Sequence, residues 1–565
     1  MTSRFGVLTA VLRSPLLRRL ELAYLFFAFG EWATWVAIVV YAYGRGGAGE
    51  AGIVVFVELA PSIVLAPAVA ALGDRFPRDR VLLATYVAQA FVMTATAAAL
   101  AGGGPPVLIY GLATITATLV ALSRPIHSAL APEVVTSPDD LTAANVVSGM
   151  AESAGSLVGP LGAGVLIGLG GPAAVFVVAA IGNVAGAAAV FDVARRRAGA
   201  RQAEPPVANL PAAEGSDPGS DGASRWRASG RELIGGLAAI LADHRLRGVV
   251  LIATWATFLV GAMDILYAVL AIDLMGLDGG GVGFVGALGG VGAILGSAAG
   301  LMLIGRERLG VALAGSVVLF GVGIATISLA TESVAAVGLL VLAGAGAGLT
   351  NVGALTLIHR LAGDDVMSRV FGVLQGMMMG ATALGALAVP VTISLVGNRA
   401  AFAVAGLSLP VVLLLVGRAI VRGDQLDTGR GAELRLLRGV PMLAPLSGPV
   451  LERLAVAITR SRFEPGAIVI NEGDRGDQFY VVESGELVVS VDGREVRRLG
   501  PGDGFGEIAL VRDVPRTATV TAIDDVALVE LGRSPFVEAL GGQPRSRTIA
   551  AGLVDAHLAA DGARS

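Results

Sequence analysis

The chain of 565 residues is 54% hydrophobic and only 15% charged, and its mean hydropathy of +0.74 excludes a compact soluble protein. It contains no cysteine, which excludes a disulfide framework and a thiolate metal site. The net charge of −4 gives no indication of nucleic-acid binding.

Apolar runs of about 20 residues recur from Leu22 to Val421, and each is long enough to cross the hydrocarbon core as a helix. They predict twelve membrane spans. The first run leads directly into the helical array, so we expect it to be a span and not a cleaved signal peptide. The predicted spans cover residues 18–43, 50–72, 80–102, 106–124, 145–169, 173–193, 247–274, 280–304, 309–331, 334–359, 367–396 and 400–421.

The basic residues of these loops are all arginines, and they fall on alternate sides of the array. Arg18 and Arg19 lie at the start of the first span, whereas the opposite loops contain only Arg45 and Arg399. The positive-inside rule therefore places both termini in the cytoplasm and predicts a multi-pass protein of the inner (cytoplasmic) membrane. Other arginines on the predicted cytoplasmic side include Arg75, Arg78, Arg124, Arg195, Arg306, Arg360 and Arg418.

Several carboxylates fall within predicted spans, where an ionisable group is costly unless it is paired or hydrated, and four of them are candidates for a function. Glu31 in the first span and Asp264 in the seventh are predicted to carry protons during transport, and hydration near the outer interface is the alternative. Glu58 and Glu152 are further candidates nearer span ends, where interfacial hydration explains them equally well. Residues that could line a substrate pocket include Trp32, Trp35, Tyr41, Trp255, Phe258, Met263, Tyr267, Asn351 and Gln375.

The array divides into two six-span halves, residues 1–193 and 247–422. The segment between them, 194–246, has the composition of a flexible cytoplasmic loop. Similar short motifs end the fourth and tenth spans and contain His127 and His359 at equivalent positions, which indicates a duplication. Two parallel six-helix halves are the plan of one large group of secondary transporters.

The loop after the second span, Ala70-Ala-Leu-Gly-Asp-Arg-Phe-Pro-Arg-Asp79, resembles the signature loop of the major facilitator superfamily through Asp74, Arg75 and Arg78. The resemblance implies a secondary transporter in which the Asp-Arg pair latches one conformation, and the alternative is an ordinary positive-inside loop with a capping aspartate. Gly155 to Gly164 resembles an antiporter motif of this superfamily, with tight helix packing an equal alternative. The run from Arg124 to Asn145 is similar to siderophore and macrolide exporters, which implies export of a partly apolar compound.

A polar linker over 423–434 leads to a soluble module over 435–565, in which Phe505-Gly-Glu-Ile-Ala-Leu510 is followed by Pro515-Arg-Thr-Ala-Thr519. The backbone N–H groups of a helix that begins here suit a phosphate, and Arg516 can neutralise it. The Glu507 carboxylate can only accept hydrogen bonds, so its natural partner is a ribose hydroxyl. Residues 505–518, named the cassette below, therefore predict combined phosphate and sugar recognition.

The cassette and the upstream turns at 463–466, 471–474, 476–480 and 484–486 resemble the cyclic-nucleotide-binding domains. The resemblance implies an eight-stranded β-roll with a terminal lid helix over 544–558. A roll that keeps the fold and binds nothing is the alternative. Thr517 does not decide between cAMP and cGMP, because threonine follows the arginine in family members of both kinds. The implied nucleotide site comprises Phe505, Gly506, Glu507, Ile508, Ala509, Arg516, Thr517 and Ala518.

These features together predict a proton-coupled exporter, regulated by cAMP or cGMP, which is not an enzyme and needs no cofactor or metal. Its expected partners are the lipid bilayer, a small-molecule substrate and the cyclic nucleotide, with no nucleic acid and an unknown oligomeric state. One alternative is a receptor that binds a ligand without transporting it. Another is a cyclic-nucleotide exporter, which would require a strongly basic cavity.

Overall fold

The computed structural model describes residues 14–134, 138–203, 234–300, 309–330, 332–362, 366–429, 431–446 and 448–541, together with Ile549 and Gly552. Side chains are not described for several of these residues, among them 62–75. The chain divides into two compact units, the first ending at Val421 and the second beginning at Arg422.

The first unit is helical. A π-helical segment, Val269–Leu274, follows the fifth helix directly. The helices are α1 Pro15–Arg75, α2 Arg78–Ala101, α3 Pro106–Val134, α4 Pro138–Ala203, α5 His244–Ala268, α6 Gly279–Gly300, α7 Leu309–Ile327, α8 Ser333–Leu361, α9 Met367–Val396 and α10 Asn398–Gly429.

Ten helices in the described part of the chain are long and apolar enough to cross a membrane. Two of them, α1 and α4, have 61 and 66 residues, and a straight helix of that length would extend about 90–100 Å, roughly three times the hydrocarbon thickness. Each is broken by a glycine pair with non-helical backbone, Gly46–Gly47 in α1 and Gly170–Gly171 in α4. Gly47 (φ +61°) and Gly171 (φ +69°) adopt a conformation that side chains disfavour. The sequence predicts separate spans on either side of these pairs.

The two halves of the first unit meet along a glycine seam between α4 and α6. A Cβ atom built on Gly280 would lie 2.6 Å from the carbonyl oxygen of Gly164, and one on Gly283 would overlap the carbonyl of Pro160. Helices in a membrane associate through such close van der Waals contact, because lipid gives them no hydrophobic drive to pair. The segment 155–164, predicted as an antiporter motif or a packing motif, thus provides packing contacts in this structure.

A polar contact joins the same two halves near the Gly46–Gly47 turn. The Asp273 carboxylate, in the π-helical segment, accepts a hydrogen bond of 2.7 Å from the Tyr43 hydroxyl of α1. It also accepts one of 2.7 Å from the Asn398 side-chain amide at the start of α10. One carboxylate therefore links three helical segments.

The second unit consists of two four-stranded antiparallel sheets flanked by short helices. The strand orders are β1-β8-β3-β6 and β2-β7-β4-β5. Its elements are α11 Gly431–Gly439, α12 Gly448–Val456, β1 Thr459–Phe463, β2 Ile468–Ile470, β3 Gln478–Ser484, β4 Leu487–Val491, β5 Arg494–Leu499, β6 Gly504–Phe505, α13 Glu507–Arg512, β7 Thr519–Ala522, β8 Val526–Gly532 and α14 Arg533–Gly541.

The second unit has two hydrophobic cores, and the cassette contributes to both. Phe505 belongs to the core between the sheets, where its ring stacks on Tyr480 at a centroid distance of 5.1 Å. Leu510 of α13 belongs to the core formed with the helices, together with Leu437 of α11 and Phe536 of α14. A displacement of the cassette would therefore affect both cores, because interiors are closely packed.

The predicted polar linker over 423–434 is mostly helical. Helix α10 continues to Gly429 and α11 begins at Gly431. Between residues 418 and 428 only Gly423 disfavours a helix, and there is no proline.

The glycine seam predicts opposite effects for two alanine substitutions on α6. Gly283→Ala should lower the free energy of unfolding by about 1–3 kcal/mol, because its methyl group meets the Pro160 carbonyl of α4. Gly286→Ala is the matched control, since its nearest neighbour is a Tyr267 ring carbon 3.7 Å away, and it should be neutral or stabilising. Thermal unfolding of the purified variants in detergent measures both, and equal melting temperatures would contradict a close seam.

Candidate functional site

The cassette starts with a sharp change of backbone direction at Gly506. This residue follows β6, has φ +86° and precedes α13, which begins at Glu507. A Cβ atom on Gly506 would lie 2.6 Å from the Arg516 Nη1 atom. Glycine is required here both for the left-handed backbone and for the approach of the arginine.

Arg516 is the central cation of the cassette and is only 7% exposed. Its Nη1 donates to the Gly506 carbonyl at 2.8 Å and its Nη2 donates to the Gln478 carbonyl at 2.7 Å. Burial lowers the pKa of this guanidinium, and the nearby Tyr480 and Asp477 oppose that effect. Because these hydrogen bonds go to neutral carbonyls, the positive charge remains available to an anion.

The turn at 471–476 holds the backbone of Arg516 in place. The Arg516 N–H donates to the Asp474 carbonyl and the Gly473 N–H donates to the Arg516 carbonyl, each at 2.8 Å. A Cβ atom on Gly476 would lie 2.7 Å from the Arg516 Nε atom and 2.7 Å from the Ala509 Cβ atom. The conformation of the arginine thus depends on a glycine 40 positions earlier in the sequence.

The other predicted nucleotide-site residues gather around this arginine. The Glu507 side chain, in the first turn of α13, is 2% exposed. The arrangement puts a buried carboxylate, a buried guanidinium and the first N–H groups of a helix in one segment. Phe505, Ile508 and Ala509 are buried, and Thr517 and Ala518 are partly buried.

Arg533 is a residue of this region that the sequence did not identify. Its Nη1 lies 2.8 Å from the Asp513 carboxylate, and its Nη2 donates to the Ala509 carbonyl at 3.2 Å. The first residue of α14 is thereby tied to the end of α13. The preceding strand gives no local pattern that would predict these contacts. The predicted lid helix over 544–558 lies outside the described residues, apart from Ile549 and Gly552.

The first unit encloses a cavity of about 530 Å³ that both halves line. Its N-terminal half provides Glu31 and Glu58 from α1 and Arg124 from α3. Its C-terminal half provides Gln375 and Met379 from α9. Apolar groups form most of the wall, including Ile38, Leu59, Ala113, Val120 and Phe176. Among the predicted pocket residues, Trp35 and Gln375 line this cavity.

Arg124 lines this cavity, whereas the sequence predicts it in a cytoplasmic loop. Helix α3 continues past the predicted end of the fourth span to Val134. The Arg124 Nη2 atom lies 2.6 Å from a Glu31 carboxylate oxygen and 2.8 Å from a Glu152 carboxylate oxygen. Pro125 lies inside this helix, and the next cluster of turn residues in the sequence is Thr136-Ser-Pro138.

The remaining predicted carboxylates occupy three different environments. Glu152 accepts hydrogen bonds from the Tyr24 hydroxyl (3.0 Å) and the Trp32 indole (3.2 Å), so protein groups hold its carboxylate. Glu58 is 3% exposed and lines the cavity. Asp264 of α5 interacts with Trp35 of α1, beside the cavity wall.

The predicted latch is described only at Arg78. Its Nη1 donates to a Glu133 carboxylate oxygen at 2.8 Å and to the Ala129 carbonyl at 2.9 Å, both near the end of α3. Asp74 and Arg75 lie outside the residues whose side chains the structure describes. The Arg78 contacts join helices of the same half.

Comparison with known proteins gives the family of the helical unit. The profile of the Major Facilitator Superfamily matches residues 20–386, which is more than half of the chain. The chain belongs to the Major Facilitator Superfamily. With ten long apolar helices among its described residues, this superfamily member is a multi-pass membrane protein. The profile of the cyclic nucleotide-binding domain matches residues 460–542, which contain the cassette. Neither matched domain is catalytic.

Individual relatives match a smaller part of this chain than the profile of the superfamily does. A cAMP-dependent protein kinase regulatory subunit of Yarrowia lipolytica is 42% identical over 148 residues, 25% of this chain and 39% of the relative. A cGMP-dependent protein kinase of Eimeria tenella is 36% identical over 153 residues, 26% of this chain and 15% of the relative. The solved regulatory domain of Toxoplasma gondii PKA with cAMP is 38% identical, covering 20% of this chain and 44% of that chain, with a TM-score of 0.19. This chain thus spans well under half the length of these relatives.

The packing of Gly476 predicts that a single methyl group disturbs the cassette. Gly476→Ala should weaken cAMP binding about 10-fold or more, because its Cβ meets Arg516 Nε and Ala509 Cβ. Gly500→Ala is the control, since no atom lies within 4 Å of the added Cβ. Calorimetric titration of the full-length protein measures both affinities, and unchanged binding by Gly476→Ala would show that Arg516 can move without loss.

Removal of Arg124 should destabilise the first unit. Arg124→Gln leaves Glu31 and Glu152 without their shared cation, and we expect the free energy of unfolding to fall by about 1–3 kcal/mol. The control is Arg196→Gln, which breaks a single pair with Asp192 at a side chain that is 53% exposed and should cost about 0.5 kcal/mol or less. Unfolding in detergent separates the two, and equal losses would argue that the carboxylates do not depend on Arg124.

Proposed function

We propose that this superfamily member is a proton-coupled exporter of a small, partly apolar compound and that cAMP or cGMP bound to the cassette regulates its transport. The single observation that carries the proposal is the association, in one chain, of a charged cavity lined by both halves with a buried Arg516–Glu507 cassette. The similarity of residues 124–145 to siderophore and macrolide exporters supports a partly apolar cargo.

Alternating access is supported by the division of the unit into two halves that share a cavity. The glycine seam and the Asp273 contacts join the halves at one end of the unit. Division of α1 and α4 at their glycine pairs would give twelve crossings in two six-span halves, with both termini on the same side. The distribution of arginines supports a cytoplasmic position for that side and insertion in the inner membrane.

Proton coupling is supported by the shared cation in the cavity. Arg124 can balance only one negative charge, yet two carboxylates, Glu31 and Glu152, bind it. Protonation of one carboxylate would leave Arg124 paired with the other carboxylate. Binding or release of a proton would therefore redistribute these contacts. Asp264 beside Trp35 and Glu58 in the cavity wall provide further sites at which a proton could be exchanged.

Nucleotide recognition is supported by the chemistry of the cassette. A cyclic phosphate would accept hydrogen bonds from Arg516 and from the first N–H groups of α13, and the ribose hydroxyl would donate to Glu507. Relatives named for cAMP and for cGMP are both similar to this chain, and Thr517 is compatible with either. We therefore propose a cyclic purine nucleotide and leave the base open.

Regulation would begin with a movement of α13. Leu510 packs with α11 and α14, and Arg533 ties α14 to Asp513 and Ala509, so a shift of α13 toward a bound phosphate would disturb these helices. Helix α11 follows α10 in the chain with only residue 430 between them. Regulation of transport requires that nucleotide affinity differ between transporter conformations, and the influence must be reciprocal.

A cyclic nucleotide is a less suitable cargo than a regulator. Among the described residues that line it, the cavity contains one arginine, and its charge is already shared by Glu31 and Glu152. With Glu58 also in the wall, acidic side chains outnumber basic ones, which disfavours a phosphate.

Paired substitutions test the nucleotide site. Glu507→Ala and Arg516→Ala should each weaken cAMP or cGMP binding about 10- to 100-fold, because each removes charge-assisted hydrogen bonds. Glu495→Ala and Arg498→Ala are matched controls, because they alter an exposed ion pair on β5 and should leave affinity unchanged. Binding that survives both cassette substitutions would remove the nucleotide assignment.

The same proteins test regulation when they are reconstituted in proteoliposomes. Nucleotide should change the rate of flux in the wild type and in the controls but not in the cassette variants. Nucleotide affinity should also differ between variants locked open at opposite ends, and identical affinities would exclude the coupling. A compound that binds without accumulating in the vesicles would indicate a receptor.

A further inference from the structure

Glu58 is the one cavity carboxylate of the described residues for which the structure records no hydrogen bond or ion pair. Its side chain is 3% exposed and lines the cavity of about 530 Å³. It lies in α1 among apolar residues, with Leu59 beside it in the same wall. A buried polar group without a partner costs free energy, so its presence here requires an explanation.

An isolated carboxylate in an apolar wall is stable in two forms. It can hold a proton and be neutral, or it can be ionised beside a cation that enters the cavity. Both forms remove the uncompensated charge, and either can replace the other. Glu58 can therefore exchange a proton for a cationic ligand.

In the part of the chain that the structure describes, the other charged groups near the cavity do not provide that cation. Arg124 of α3 is held by Glu31 of α1 and by Glu152 of α4 at 2.6 and 2.8 Å. Asp264 of α5 is acidic and interacts with Trp35. The lining residues from α4 and α9 are Phe176, Gln375 and Met379, which carry no charge.

We propose that the transported compound is an organic cation with an apolar body, and that Glu58 is its counter-ion. The inference rests on the proposed transport function and names its substrate class. The apolar walls would cover the body of the cation, the Trp35 ring in the wall offers a cation–π contact, and Gln375 offers a polar one. Entry of the cation would displace the proton of Glu58, so each bound cation releases one proton.

Equilibrium binding of a model cation to the full-length protein in detergent tests this assignment without any flux measurement. The probe is tetraphenylphosphonium, and neutral triphenylphosphine oxide and anionic tetraphenylborate are titrated separately. We expect the cation to bind at least about 10-fold more tightly than the neutral or anionic probe, because only the cation pairs with Glu58. Equal or tighter binding of the anion would overturn the proposal.

Two substitutions locate the counter-ion. Glu58→Gln should weaken binding of the cation about 10- to 100-fold and leave that of the neutral probe unchanged. Glu332→Gln is the matched control, because that carboxylate is exposed and makes no side-chain cap hydrogen bond at the start of α8. Equal affinity of Glu58→Gln and wild type for the cation would refute the assignment. Should Glu58→Gln fail to fold, Glu58→Asp keeps the charge and should retain the preference for the cation.

Competition between the proton and the cation gives a second readout. In the wild type, tetraphenylphosphonium affinity should fall as the pH is lowered from about 8 to about 6, and Glu58→Gln should lose that dependence. An affinity of the wild type that does not change with pH would contradict exchange at Glu58. Retention of cAMP binding by a protein that does not bind the cation would reject the substrate class alone and leave the regulated transporter intact.

Discussion

A charge removed from water must be compensated by nearby polar groups, and this constraint organises both units. In the cassette the hydrogen bonds of Arg516 do not neutralise its positive charge, because they go to two neutral carbonyls. In the cavity Arg124 receives more negative charge than it can balance, because two carboxylates bind it. The first arrangement suits an anion from solution, and the second suits a group whose proton can be lost or gained.

The nucleotide cassette could be predicted from the sequence because its geometry is local. Residues 505–518 are nearly contiguous, and the turn glycines that support them, such as Gly476, lie within one short domain. Arg124 could not be predicted in the same way, because its partners Glu31 and Glu152 lie 93 and 28 positions away. Sequence reasoning identified both carboxylates as costly inside a membrane but gave no means of finding the cation between them. The unexpected position of Arg124 follows from a helix that continues through Pro125.

The helical array shows a similar limit of local reasoning. Spans were predicted from apolar runs, and the runs match the positions of the helices because backbone groups in hydrocarbon must be satisfied within a helix. Where the sequence placed loops around residues 44–49 and 170–172, the structure has only glycine pairs inside α1 and α4. The contact of Gly283 with α4 was also not predictable, since a glycine-rich sequence does not reveal which glycine meets which backbone. Pairing of distant helices requires three-dimensional information.

The glycine pairs at 46–47 and 170–171 have a mechanical consequence. Their backbones are nearly the same, with the first glycine at φ −135° or −150° and the second at φ +61° or +69°, so each connection is a hinge of two residues with no spare chain. A long loop could change its own conformation when one helix tilts and leave the next helix in place. A connection of two residues is too short to do so. The two helices of each pair must then move together, and a small displacement at one end of the bundle is transmitted along the length of both helices.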